Sequence, residues 1–172
     1  DVFEITLTRG YNDTSFREDL KKLYNVLGVQ NRKTMFLFTD NHVVEEGFLE
    51  SINNMLTTGS VPALFSDEEK DSLVNGIRES LHENNVPVTR DEGWRFFMSR
   101  CRANMHVVLA MSPIGDSLRL RCRNFPGLVN STVIDWFTEW PKEALTEVSA
   151  SLLSTIDLPE SMFERVGAHI VH

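Results

Sequence analysis

Polar residues follow two apolar runs of the sequence and are the side chains best placed to do chemistry. Thr39, Asp40 and Asn41 come directly after the run TMFLF, and Ser112 comes directly after the run HVVLAM. Short, continuous apolar runs are typical of strands buried on both faces, as parallel strands are. Ligands of open α/β sheets bind at the carboxyl ends of such strands, so these polar residues would border a binding site.

A carboxylate at the end of a buried strand is typical of a Walker B element, where it holds Mg²⁺ beside a nucleotide. On this interpretation Asp40 binds the metal, and Ser112 senses the terminal phosphate from the neighbouring strand. The structural alternative is that both residues merely end their strands, as some polar residue must. On these residues alone, the structural alternative is favoured.

The sequence lacks the phosphate loop that would complete a nucleotide site. The motif GxxxxGK[ST] supplies a cradle of backbone N–H groups and a lysine for the phosphates. No Gly-Lys pair occurs among the 172 residues. Either the fold binds no nucleotide, or its first strand and phosphate loop lie upstream of Asp1. Because the sequence opens on a predicted strand, the second option is favoured.

The predicted elements alternate in a way that would place both strand ends at one edge of a sheet. Alternating residues 2–9 predict a strand, a capping box at 15–18 predicts a helix that ends near Gly28, and residues 34–38 predict the next strand. Together they form a βαβ unit. A further helix is predicted from residue 44 to Gly59, and two more begin at the capping boxes 66–69 and 89–92. The last two predicted helices begin at Pro141 and at Pro159. The predicted fold class is α/β, a parallel sheet flanked by helices.

Composition argues against several classes of protein. The net charge is −8, from 17 Lys and Arg against 25 Asp and Glu, whereas nucleic-acid binders and membrane-surface proteins need positive surface. No apolar run approaches the roughly 20 residues of a membrane-spanning helix. The two cysteines, Cys101 and Cys122, cannot form a disulfide scaffold and suggest a reducing compartment. The length by itself fits one domain.

Basic charge is concentrated in one part of this acidic chain. Between Arg90 and Arg123, seven arginines face three acidic residues, which gives the window a charge of +4. Arg119, Arg121 and Arg123 alternate along this window and are candidates for an interface, because arginine is well suited to phosphate and carboxylate recognition. The equally weighted alternative is a solvated helix face that pairs with the acidic remainder.

The other reactive or aromatic side chains are expected to serve packing and not chemistry. Cys101 lies on an apolar helical face and is expected in the core. His169 and His172 have the spacing of a pair of metal ligands, but no cysteine or acidic residue lies near them in the sequence at ligand spacing. The aromatic residues between 136 and 140 are expected to pack in the core or at an interface. No GxSxG motif or Cys/His arrangement indicates nucleophilic catalysis.

Longer strings closely resemble the fourth AAA+ module of dynein heavy chains, and the resemblance covers nearly the whole chain. The strings are TLTRGYNDTSFREDLKKLY, FLFTDNHVVEEGFLESINNMLTTGSVPALF, HVVLAMSPIGD and FPGLVNSTVIDWFTEWPKEAL. They occur in the family's order and with plausible spacing. FLFTD and FPGLVNSTVIDWF resemble axonemal more than cytoplasmic heavy chains.

This resemblance implies a piece of a six-module ring in which ATP turnover drives movement along microtubules. The implied fold is a P-loop NTPase-like (AAA+) parallel sheet, truncated at its N-terminal strand. Residues 1–140 would be the large subdomain after the phosphate loop, and residues 141–172 the start of the helical small subdomain. The implied ligand is ATP or ADP with Mg²⁺. The implied partners are the adjacent modules, stalk and linker, microtubules and other dynein chains, in the axoneme of a cilium or flagellum, without nucleic acid or membrane.

The chain departs from the family pattern at the Walker B position. Relatives with a complete Walker B element end this strand with Asp-Glu, in which Asp binds Mg²⁺ and Glu activates water. If GFLE is kept in alignment, the corresponding residues are Thr39 and Asp40; in the alternative alignment they are Asp40 and Asn41. Neither alignment contains an Asp-Glu pair, and a shortened or amide side chain activates water poorly.

Two further positions also depart from the family pattern toward weaker catalysis. Relatives offer Asn at the sensor position of Ser112, and an arginine finger at the position of Ser131 in the string VNST. An arginine finger contributes about 10³–10⁵-fold to the rate of phosphoryl transfer. Arg119, Arg121 and Arg123 stand nearby, but substitution of the finger by one of them is not favoured.

The resemblance and the departures together predict a nucleotide-holding or structural module of an ATP-hydrolysing motor, next to the stalk. The 172-residue chain alone is expected to be inactive and to bind no ATP, because it lacks the phosphate loop. The main alternative is a non-enzymatic interaction or adaptor domain with an AAA+-like fold and no nucleotide site. A small α/β hydrolase is a weak third reading, since no nucleophile motif is present.

Overall fold

A three-stranded parallel sheet organises the first part of the computed structural model, which describes residues 1–156 and residue 166. The strands lie in the order β1 (Val2–Glu4), β2 (Thr34–Thr39) and β3 (Met105–Ala110). Phe36, in the central strand β2, pairs with Phe3 on one side and Val107 on the other. The predicted parallel sheet and its first βαβ unit are confirmed.

Helices connect and flank these strands. The helices of the described residues are α1 (Asp13–Gly28), α2 (Gly47–Thr58), α3 (Asp67–Gly76), α4 (Arg78–Glu83), α5 (Arg90–Asn104), α6 (Ser117–Asn124), α7 (Gly127–Asn130) and α8 (Lys142–Leu153). The capping box of Ser66 and Glu69 and the helix that follows Pro141 are confirmed. The helix predicted from Pro159, and the residues His169 and His172, lie outside the described residues.

The predicted start of α1 is wrong by one turn. Asn12, rather than Ser15, is the N-cap, and its side-chain oxygen accepts the Ser15 N–H at 3.1 Å. Asn is as strong an N-cap residue as Ser. The helix therefore begins at the first good cap after the Gly10 turn, whose positive φ of 81° suits glycine.

The two outer strands differ from expectation. β1 ends at Glu4, so only the first part of the predicted strand 2–9 belongs to the sheet. β3 was expected to be buried on both faces, but its residues alternate between half-buried and exposed. Met105, Val107 and Leu109 pack against the core, whereas the side chains between them face away from it. In the described residues β3 therefore lies at an edge of the sheet and packs one face only.

The core lies between the sheet and the helices α1, α2 and α5. Phe16 of α1 stacks on Phe48 of α2 with 4.3 Å between ring centroids, and its ring centroid lies 6.0 Å from that of Phe38 in β2. Phe97 and Cys101 of α5 are fully buried in the same cluster, which confirms the prediction for Cys101. These contacts bury Phe36 and Phe38 on one face of β2, whereas Met35 on the other face is exposed, so the expected burial on both faces is not met here either. The candidate site begins at the carboxyl end of this strand.

The chain divides into two compact units, residues 1–133 and residues 134–172. In the second unit, α8 follows a segment without regular structure. Trp136, Phe137 and Trp140 in that segment are 67%, 92% and 56% exposed, so of the two expected places the core is wrong within the described residues and the interface stays a prediction. No described helix is both long enough and apolar enough to cross a bilayer.

Candidate functional site

The carboxyl ends of β2 and β3 meet as the sequence predicts. Thr39 pairs with Ala110 across the two strands, which brings Asp40 alongside the segment that follows β3. The backbone N–H of Ser112 donates a hydrogen bond of 2.5 Å to Oδ2 of Asp40. Two residues that are 72 positions apart in the chain thus meet at one edge of the sheet.

Arg121 of α6 occupies the other side of the Asp40 carboxylate. Its Nη1 lies 2.6 Å from Oδ1 of Asp40, and its Nε and Nη2 each lie 3.2 Å from Oε1 of Glu46. The Arg121 side chain is only 15% exposed, although both of its carboxylate partners are more accessible. The guanidinium therefore sits between the end of β2 and the start of α2.

The local sequence after β3 explains how α6 delivers this arginine. α6 ends at Asn124, and Pro126 begins the short helix α7 directly afterwards. The Gly127 N–H donates to Oδ1 of Asn53 in α2 at 2.8 Å. A Cβ at position 127 would lie 2.6 Å from that oxygen, so the close approach requires glycine. The Pro-Gly turn anchors α7 on α2, and α6 is held above the sheet edge.

Thr39 is engaged with His42 rather than with Asp40. The Thr39 N–H donates to Nδ1 of His42 at 3.0 Å, and the Thr39 hydroxyl lies 3.3 Å from the same atom. Because Nδ1 accepts from a backbone N–H, the ring proton is on Nε2, which faces Oε1 of Glu4 at 3.6 Å. His42 is buried, and this arrangement caps the 3₁₀ turn Asp40–His42.

The remaining predicted site residues make fewer contacts at this edge of the sheet. Asn41 is exposed on the 3₁₀ turn, and the Ser112 hydroxyl accepts the Ile114 N–H at 3.3 Å. Ser131 is an exposed C-cap of α7, and no hydrogen bond of the described residues joins it to Asp40 or Ser112. The structure therefore brings Asp40 and Ser112 together, but not Ser131.

The three arginines of α6 have different environments. Arg119 and Arg123 are exposed, and neither lies within 4 Å of a carboxylate in the part of the chain that the structure describes. Arg121 is the paired one. The sequence suggested an interface role for all three; the acidic residues Asp40 and Glu46 after β2 indicate a partner for an arginine but do not single out Arg121.

The donor set around Asp40 does not fit Mg²⁺ in this arrangement. Magnesium needs near-octahedral coordination by oxygen atoms, whereas one Asp40 oxygen accepts an N–H and the other faces a guanidinium. Glu46, the other nearby carboxylate, faces the same guanidinium. Among residues 1–156 and 166, no group of three or more His, Cys, Asp or Glu side chains could hold a metal ion.

The same contacts limit what this edge of the sheet can do chemically. A general base must lie within hydrogen-bond reach of the proton that it removes. Both Asp40 oxygens are engaged, and the residue after Asp40 is the neutral Asn41. Glu46, the second carboxylate at this edge, also faces Arg121, so both carboxylates of the site are paired with the same guanidinium.

Comparison with known proteins gives matches over the full chain. A family model described as "P-loop containing dynein motor region D4" matches residues 1–172. The chain is 54% identical over 171 residues to the dynein-1-alpha heavy chain of the flagellar inner arm I1 complex of Chlamydomonas reinhardtii, covering 99% of this chain and 4% of that protein. It is 52% identical over 172 residues to dynein axonemal heavy chain 10 of Homo sapiens, with the same coverage. The chain thus spans about 4% of the length of these relatives.

Proposed function

The chain belongs to the family of the P-loop-containing dynein motor region D4, and we propose that it forms the ligand-facing part of the fourth AAA+ module in the motor ring of an axonemal dynein heavy chain. In that ring the module holds ATP or ADP without being a main site of hydrolysis. It stabilises the ring and tunes coupling toward the adjacent stalk.

The observation that carries this proposal is the environment of Asp40. At the Walker B position the carboxylate pairs with Arg121 and accepts the Ser112 N–H, and no second acid follows it. Thr39, the other candidate for the metal position, is turned toward His42. This contact pattern supports the alignment in which Asp40 stands at the metal position and Asn41 at the position of the base.

Ser112 is the residue that we propose to face the terminal phosphate. Its hydroxyl oxygen accepts the Ile114 N–H, and among the described contacts its O–H donates to no protein group. That proton suits a phosphate oxygen. Because each Asp40 oxygen already faces a protein donor, this proposal does not include Mg²⁺ bound by Asp40. The phosphate loop itself would come from a part of the heavy chain outside this sequence.

The subdomain assignment is part of the proposal. Residues 1–140 would form the large subdomain and residues 141–172 the start of the helical small subdomain. The parallel sheet of the first unit supports the large-subdomain assignment. The helix α8 after Pro141 supports the start of a helical segment.

The partners of the module follow from its proposed place in the ring. They are the adjacent AAA+ modules, the stalk and the linker of the same heavy chain, with microtubules and other dynein chains reached through the whole motor. The proposed location is the axoneme of a cilium or flagellum. An adaptor domain without a nucleotide site is disfavoured, because the match to the P-loop-containing family extends over every residue of the chain.

A structure of the full-length protein, determined after incubation with ATP, tests this proposal. We expect nucleotide bound at this module, beside Ser112, with its terminal phosphate retained. The same preparation in which this module's phosphate-loop lysine is replaced by alanine is the control and should lack that nucleotide. Absence of nucleotide in the unmodified protein would favour the adaptor alternative.

A further inference from the structure

We infer that Arg121 is the resident cation of this site, so that a guanidinium, rather than Mg²⁺, satisfies the Asp40 carboxylate and ties α6 to the end of β2 and the start of α2. The inference rests on the proposed function only for the identification of Asp40 with a magnesium-binding position. The network of Asp40, Arg121 and Glu46, here called the arginine clamp, can be tested without nucleotide.

The geometry of the clamp uses the planar shape of the guanidinium. Three of its nitrogens take part, Nη1 toward Asp40 and both Nε and Nη2 toward Glu46. Arginine has five fixed N–H donors, so this fork can join two carboxylates that lie on different elements. A lysine at this position would supply only a point charge and would not reproduce both contacts.

Burial makes the pairing selective against a metal. The Arg121 side chain is 15% exposed, so most of its hydration is replaced by the two carboxylates. A Mg²⁺ ion bound to Asp40 would have to displace the Arg121 guanidinium or lie next to it. Two positive charges in direct neighbourhood repel strongly when they are partly buried. The second Asp40 oxygen is taken by the Ser112 N–H. Both contacts of Asp40, with the guanidinium and with the Ser112 N–H, disfavour metal binding while Arg121 is in place.

The neighbouring arginines provide a natural control. Arg119 and Arg123 lie on the same eight-residue helix, carry the same charge and are exposed. Replacing either one removes a positive charge from α6 without touching Asp40 or Glu46. An effect that appears at position 121 and not at position 119 therefore reports the clamp and not the general charge of the helix.

Hydrogen exchange of the full-length, nucleotide-free protein, read by mass spectrometry for peptides of α6 and of the β2 end, tests the inference. We expect Arg121→Gln and Asp40→Asn each to raise the exchange rate of α6 amides by about tenfold, as for the loss of a hydrogen bond between charged groups. The double variant should exchange no faster than the faster of the two single variants. Arg119→Gln should leave the rate unchanged, and unchanged exchange in α1 shows that each variant is folded.

A second arm distinguishes a clamp from a metal site. Removal of Mg²⁺ with a chelator should leave exchange at the β2 end and in α6 of the unmodified protein unchanged. Loss of protection there on chelation would overturn the inference, as would additive effects of the two substitutions or an equal effect of Arg119→Gln. Since this experiment contains no nucleotide, its failure would leave the proposed nucleotide-holding role standing, and the ATP-bound structure described above tests that role separately.

Discussion

Arg121 Nη1 lies 2.6 Å from Oδ1 of Asp40, although 81 positions separate the two residues in the chain. The contact joins the helix after β3 to the end of β2, and it is made by an arginine that is largely withdrawn from solvent. The carboxylate that we propose to stand at the Walker B position is therefore paired within the protein. This relationship explains how the site can retain an acidic residue whose two oxygens face protein donors, the Ser112 N–H and the Arg121 guanidinium.

The 172-residue chain alone should show no measurable binding of Mg-ATP by calorimetry. The reason is the absence of a GxxxxGK[ST] loop, whose backbone N–H groups and lysine supply most phosphate contacts. Binding with a micromolar Kd would contradict the assignment of the phosphate loop to another part of the heavy chain. Circular dichroism of the same sample should show that the chain is folded.

Gly28→Ala should lower the free energy of unfolding by about 2–3 kcal/mol, the range expected for overpacking of a core. A Cβ at position 28 would lie 2.1 Å from Cε2 of Phe97, which is fully buried and cannot move away. Gly47→Ala is the matched control, because nothing lies within 4 Å of its Cβ position at the start of α2. It should be neutral or stabilising by at most about 1 kcal/mol. Urea denaturation of both variants measures the difference, and equal effects would contradict the packing argument.

Glu69 should make a pH-dependent contribution to stability. Its carboxylate accepts the Ser66 N–H and lies 2.7 Å from Lys21 Nζ, and hydrogen bonding to Lys21 lowers the pKa of Glu69 below its ordinary 4.5. A lowered folded-state pKa means that this contribution is complete above about pH 4.5 and is lost as the pH falls through the folded-state value. Since the side chain is 40% exposed, we expect only about 0.5 kcal/mol.

Glu69→Gln tests this contribution, because the amide keeps an acceptor for Ser66 and loses the charge that pairs with Lys21. Its stability should fall below that of the unmodified chain at pH 7, and the difference should shrink below pH 4. Glu68→Gln, on the same turn of α3, is the control for charge alone. A difference between Glu69→Gln and the unmodified chain that stays constant from pH 7 to pH 3 would show that the charged pair contributes nothing.

The two thiols should differ in reactivity. Cys101 is fully buried, and burial raises the pKa of its thiol to about 12, so the reactive thiolate is absent at neutral pH. Cys122 is only partly buried. Iodoacetamide should therefore modify Cys122 in the native protein and both cysteines after denaturation, as read by mass spectrometry. Equal native labelling of Cys101 would place that residue outside the core.

Local patterns predicted the strands, the starts of α3, α5 and α8, and the meeting of Asp40 with the end of β3. These features depend on apolar runs and on caps within a few residues of each other, as at Ser66 and Glu69. The start of α1 was missed because Asn12, a competing cap of equal strength, stands one turn upstream of Ser15. The helix that follows the capping box of Ser66 ends at Gly76, a weak helix former, and α4 begins two residues later.

The arginine clamp could not be predicted in the same way. Nothing local distinguishes Arg121 from Arg119 or Arg123; the distinction arises when the anchoring of α7 on α2 orients α6. The role of His42 was likewise hidden, because its partner Thr39 was interpreted as a candidate ligand of a metal. Long-range pairing and side-chain direction come from the assembled fold, whereas the residue types alone suggested only that charges would gather there.

The central claim is that this module holds nucleotide without turning it over. The most direct test is ATP hydrolysis by the full-length protein in which the phosphate-loop lysine of every other AAA+ module is replaced by alanine. Phosphate release should be no faster than in a matched protein whose lysine in this module is replaced as well. Turnover above about 1 s⁻¹, within the usual range for enzymes, that is abolished by Asp40→Asn would contradict the account.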